Sequence, residues 1–317
     1  MSAKFLEGFG GKLAEQWIAN LFTPAFVFWS GGLLAYIHRH GWDAIAQQFP
    51  DSKLEPLQIF LLAIAFIIIL LSSLFVQRFD TEVLRGLEGY WYPLFRRLGK
   101  PILQYATQRQ IKQRNNALEK WRSLYQKQKS QPFSAQDRAE FVRCDRTLRQ
   151  FPVLEEDFLP TRLGNILRAA ERRPFDRYGL DAIVCWPHLW LLMPDSAKKD
   201  LQEARAELNN GVRLFSWSLL FLIWSLWSFW AIPCGIISAC FAYSWILDSA
   251  TAYGNLIEAT FDLYRFSLYN SLRFPLPQTI AAEKALGLKV TEYLYRGTYP
   301  PGLDFIPDPT SPNSNIP

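Results

Sequence analysis

Asp248, Thr251, Asn255, Glu258, Asp262 and Arg265 recur at intervals of three and four residues. At 100° per residue they share, with Tyr269, an arc of about 100° on one helix. Carboxylates in such a row have three chemical uses. They can neutralise arginines packed against them, or form rings that line a cation route in a symmetric oligomer. A pair such as Glu258 and Asp262 can also exchange protons, a use open to almost any exposed helical pair of acids. The stripe emerges from an apolar run, SWILDSATAYGNLIEATFDLYR at 244–265, and an aspartate at mid-bilayer costs about 2.5–3.5 kcal/mol. Asp248 is therefore expected near the exit of a membrane helix and not at its centre.

A second constellation is basic. Residues 96–129 carry ten Lys or Arg and one acid, among them Arg96, Arg97, Lys100, Arg109, Lys112 and Arg114. Such a run is a solvated helix face, or a surface for anionic headgroups at about 1 kcal/mol per residue. Nucleic acid is not the expected partner, because only Trp121 and Tyr125 interleave the charge. On a further helix Arg162, Asn165, Arg168 and Arg172 project opposite Leu163, Ile166, Leu167 and Ala170. Those arginines can bind phosphate or carboxylate in a fork, or pair with the acids of the C-terminal helix and brace the domain.

Enzyme chemistry has little support, and no catalytic residue, metal or cofactor is expected. Ser-His-Asp order, Walker loop and glycine-rich nucleotide motif are all missing. Cys144, Cys185, Cys234 and Cys240 show no C-x-x-C spacing. His38 and His40 flank Arg39, a place for a ligand pair or, with more reason, a wet interfacial cap.

What must position these groups is a membrane. Half of the 317 residues are apolar, which decides nothing until their distribution is considered. Residues 57–76, LQIFLLAIAFIIILLSSLFV, carry no charge, and fifteen of the twenty are Leu, Ile, Phe or Val. Those side chains favour the bilayer by about 5–9 kcal/mol. A second span is expected at 21–38, uncleaved, with Pro24 and Gly31-Gly32 tolerated in lipid. The forty residues 214–253, whose one charge is Asp248, are too long for one crossing. They suggest a hairpin of spans 212–232 and 234–253 turning at Pro233 and Gly235. Trp217, Trp224, Trp227 and Trp230, with Ser216, Ser218, Ser225 and Ser228, suit the third span to close packing.

Between residues 77 and 211 there are 24 Lys plus Arg against 17 acids, whereas 38–56 has only Arg39 and Lys53. Positive charge stays inside, which puts both termini and the basic domain in the cytoplasm. The chain then divides into an amphipathic segment 1–20, spans 21–38 and 57–77 around an external loop 39–56, a basic helical domain 78–211, spans 212–232 and 234–253, helices 254–299, and a Pro-rich tail 300–317. Within the basic domain Gln131-Pro132 stops the long helix and Ser134 to Asp137 has the form of a capping box.

The blocks LEGYWYP at 87–93, LPTRLGNILRAAERRPFDRYGLDAIVCWPHLWLLMPD at 159–195 and FDLYRFSLYNSLRFPLP at 261–277 resemble a family of uncharacterised multi-pass bacterial membrane proteins. The resemblance implies only an integral membrane protein of the bacterial cell envelope and carries no activity; the expected location is the inner membrane, with both termini cytoplasmic. A faint echo links DTEVLRGLEGYWYPLFRRLGKP to GNLIEATFDLYRFSLYNSLRFPLP, as if two hairpins were repeats.

The expectation is an all-α integral membrane protein, four transmembrane helices in two hairpins plus a helical cytoplasmic domain. It is non-enzymatic and homo-oligomeric, partnered by the bilayer and by a cytoplasmic protein or signal. It either conducts ions or perturbs the membrane, or it serves as a scaffold that binds anionic lipid or protein through 96–129.

Overall fold

The computed structural model describes residues 23–46, 55–91, 99–297, 302, 305 and 306, and among them every regular element is helical. The expected amphipathic segment 1–20, most of the loop after residue 46, Arg96 and Arg97, and nearly all of the tail lie outside the described residues. Two compact units divide the chain. The first is Met1–Gly86 with Ala206–Ile246, and the second is Leu87–Arg205 with Leu247–Pro317.

The first unit holds α1 (Thr23–His40), the short α2 (Asp43–Ala46), α3 (Glu55–Arg78) and most of α4 (Asp80–Glu88). Into it run the C-terminal part of α9 (Asp195–Phe221), a 3-10 turn (Leu222–Leu226) and the start of α10 (Ala231–Ser271). α3 is helical throughout its uncharged run, yet only 11% of its most apolar stretch is buried. Ile59, Leu62 and Phe75 are each about two-thirds exposed or more.

Gly31 and Gly32 on α1 make room for aromatic rings. A Cβ on Gly32 would stand 2.5 Å from Trp224, and one on Gly31 would overlap Phe221. Trp224 then donates its indole N–H to the Phe28 carbonyl at 3.0 Å, and Phe28 packs on Trp217 with centroids 5.1 Å apart. Ser218 and Ser238 hydroxyls meet at 2.7 Å, tying α9 to α10. Gly32→Leu is expected to lower stability by about 1–3 kcal/mol, the usual cost of overpacking. Thermal unfolding in detergent measures it, with Gly86→Ala as control because a Cβ there meets nothing within 4 Å.

Two expectations about the hairpin are corrected. The turn falls at 227–230, and Pro233 lies in the first turn of α10, where its missing N–H costs no hydrogen bond. The third expected span is not a separate helix. Its apolar residues continue α9 from a charged beginning and then tighten into 3-10 geometry. Among the described residues two helices, α3 and α10, are long and apolar enough to cross a bilayer. α1 falls short because its 18 residues end in His38, Arg39 and His40.

In the second unit α5 (Lys100–Ser130) and α6 (Ala135–Leu148) form a hairpin. Ser134 and Asp137 make a reciprocal capping box, and Lys127 Nζ reaches Asp137 at 2.8 Å. Trp121 stacks on Tyr125 and on Phe141 across the hairpin. α7 (Arg162–Tyr178) begins at the Thr161 cap and ends at Gly179, whose φ of 73° admits the left-handed stop. α8 (Ala182–Leu192) is capped by Asp181. It packs with α11 (Ile280–Arg296) and the C-terminal half of α10 around Leu180, Cys185, Leu189, Phe261, Tyr269, Phe274 and Val290. Burial pushes the Cys185 thiol up to about 12, so it is an inert core group.

Over the described residues of the sequence echo the two backbones differ: Gly89, at φ 101°, follows the end of α4, whereas the second segment is helical from Gly254 to Ser271.

Candidate functional site

α7 supplies arginines at positions that alternate between two sets of acids. Arg168 and Arg172 both reach Asp157, at 3.0 and 2.9 Å, and Arg168 also pairs with Glu171 at 3.2 Å. On the other side Arg173 Nη1 lies 2.5 Å from Glu258 Oε2, and Arg177 Nη2 lies 2.8 Å from Glu258 Oε1. Arg173 also donates to the Arg149 carbonyl. Asp262 is bound by the Tyr178 hydroxyl at 2.5 Å and approached by Arg177 at 3.7 Å. Arg265 turns from the stripe to Glu283 of α11 at 2.6 Å, with Tyr178 and Phe266 rings against its guanidinium.

The electrostatics follow from this arrangement. Burial, then the hydrogen bond to Asp262, raises the Tyr178 phenol above its usual range. The Arg177 guanidinium is partly desolvated, but Glu258, Tyr178 and Asp262 outweigh that and hold it more firmly charged than usual. The network is a brace between α7, α10 and α11.

The stripe expected from the sequence thus splits. Glu258, Asp262 and Arg265 are committed within the second unit. Thr251 bonds its own helix through the Leu247 carbonyl. Asp248 and Asn255 are exposed, and neither has an ion pair or side-chain hydrogen bond among the described residues. The arginine face also differs from expectation. The partners of α10 are Arg173 and Arg177, while Arg162 donates to Gln150 at 3.0 Å and Arg168 serves Asp157. Asn165 is fully buried and binds the Leu159 N–H and the Leu159 and Thr161 carbonyls, so it fixes the entry to α7.

Along α5 the expected basic residues Lys100, Arg109 and Lys112 are exposed with no acid against them among the described residues. Arg114 is drawn in, donating to the Val153 carbonyl and to Asn115. The histidines bind polar neighbours of the first unit. His38 Nδ1 is 3.1 Å from the Ser228 hydroxyl, and His40 stacks on Tyr36. No metal-ligand cluster occurs among the described residues.

One pair had no signal in the sequence. Asp80 at the start of α4 meets Arg213 of α9 at 2.6 Å, both almost fully buried. Burial raises the Asp80 carboxyl further than Arg213 lowers it. The two residues are 133 apart in the chain, so no local spacing announces the pair.

No family model, curated protein or solved structure matches this chain.

Proposed function

We propose that the protein is a multi-pass scaffold of the bacterial inner membrane that presents a basic helical unit to anionic headgroups on the cytoplasmic face. The observation that carries this reading is α3. The core helix of a soluble protein hides its apolar side chains, but α3 leaves Ile59, Phe60, Leu62, Phe66, Ile67 and Phe75 more than half exposed. In water that surface would drive association; in lipid it is the ordinary condition of a spanning helix. The apolar parts of α1, α9 and α10 join it, which gives four lipid-facing segments in two hairpins. The charge bias of residues 77–211 sets the basic unit inside.

Lys100, Arg109 and Lys112 are the headgroup contacts, since no internal carboxylate neutralises them among the described residues. For the full-length protein reconstituted in phosphatidylglycerol vesicles, a spin label at Gln108 (Gln108→Cys) is expected to lose mobility relative to phosphatidylcholine vesicles. The effect should weaken as salt rises and shrink in the triple variant K100Q/R109Q/K112Q. Equal mobility in both lipids at low salt would remove the headgroup contact.

Conduction by a homo-oligomer is the second reading, and Asp248, exposed where α10 is still apolar, is the observation that favours it. With Glu258 and Asp262 occupied by arginines, a pore lining would depend on Asp248 almost alone. Ion flux in liposomes that falls with Asp248→Asn supports conduction over scaffolding.

A further inference from the structure

We propose that a cavity between α6, α7 and α10 binds a phosphate ester. Its volume is about 270 Å³. Buried Ile166 and Ala170 make an apolar floor, closed where Gly254 brings the α10 backbone against Ala170, near enough that a Cβ would stand 2.9 Å from it. Arg146 and Arg149 stand exposed at the rim.

The charge around this cavity is unbalanced in one direction. Arg168, Arg172, Arg173 and Arg177 of α7 each face a carboxylate. Arg146 and Arg149 have no ion pair among the described residues, although Asp145 also lines the cavity. Across from them Thr251 and Asn255 offer neutral polar groups. Two unpaired guanidinium forks above an apolar floor suit a phosphate oxyanion whose ester carbons lie toward the floor. The Asn255 amide, exposed and without a protein partner among the described residues, is free to donate.

This chemistry has two sources, a phospholipid headgroup or a soluble phosphate ester, and the inference holds whether or not lipid surrounds α3. The full-length protein purified in detergent is titrated with glycerol 3-phosphate while its melting temperature is followed, and native mass spectrometry counts retained phosphatidylglycerol. A saturable rise in melting temperature with glycerol 3-phosphate identifies a soluble ligand. Phosphatidylglycerol retained without such a rise identifies a headgroup. Arg149→Gln or Arg146→Gln is expected to weaken whichever ligand binds about tenfold or more, the loss of one charge-assisted hydrogen bond. Asn255→Asp, at an exposed position with no side-chain hydrogen bond to lose among the described residues, is expected to do the same by placing a carboxylate against the anion. Lys199→Gln, an equal loss of charge elsewhere in the second unit, is expected to change nothing. The proposal is overturned if neither ligand binds saturably, or if Lys199→Gln weakens binding as much as Arg149→Gln.

Discussion

Asp80→Ala is expected to destabilise the protein by about 3–5 kcal/mol, and Arg213→Met by clearly less. The side chains are 10% and 7% exposed and meet at 2.6 Å, so removing either breaks a buried ion pair. The two remnants differ in their means of escape. Arg213 cannot give up its proton under any ordinary condition, and without Asp80 it stays charged in a site where its side chain is 7% exposed. Asp80, whose carboxyl is already raised by burial, can take up a proton and become neutral when Arg213 is gone. Paired replacement, Asp80→Leu with Arg213→Met, is expected to recover most of the loss, because a packed apolar pair avoids both desolvation costs. Chemical denaturation in a fixed detergent measures all three. Equal costs for the two single variants would mean that water reaches the pair and that the first unit is less closed there than its packing implies.

Glu258→Ala is the second large effect, about 3–5 kcal/mol. Glu258 is 12% exposed and receives Arg173 on one oxygen and Arg177 on the other. Deleting it strands Arg173, itself 15% exposed, between α7 and α10. Arg177 is 45% exposed and can turn to water, so Arg177→Gln is expected to cost under about 1 kcal/mol. Glu258→Gln, which keeps the acceptor and loses the charge, should fall between. This ordering separates a brace from a pore lining. A carboxylate facing water in a conduction path could be removed with little loss of stability, and a Glu258→Ala protein as stable as wild type would contradict the brace.

The sequence was legible where a local rule acts. The capping box at Ser134 and the single helix carrying the stripe from Asp248 to Arg265 could both be read, because three-residue and 3.6-residue spacings decide them. That acids of the stripe meet arginines was a stated alternative, but not which arginines. Arg168 and Arg173 are five residues apart on one helix, and only the tertiary placement of Asp157 and Glu258 assigns each its partner. The turn at 227–230 was hidden because a proline reads equally as a helix breaker and as a helix starter. Asp80 and Arg213 were missed for the reason common to long-range pairs, which have no spacing to recognise. The cavity beside Arg149 was missed because it needs three helices in place at once.

Whether lipid is the solvent for α3 is tested most directly at Leu62, which is 71% exposed on the folded chain. A cysteine placed there (Leu62→Cys) in the full-length protein, in membranes opened to both faces, is treated with a charged maleimide and then with an uncharged, lipid-soluble one. The native thiols Cys234 and Cys240, also exposed, are replaced by serine to isolate the signal. The expected result is no adduct with the charged reagent until detergent denatures the chain, and only slow reaction with the lipid-soluble one, because a thiol in hydrocarbon stays protonated. Labelling by the charged reagent at the rate of the denatured chain would place α3 in water and contradict the membrane reading.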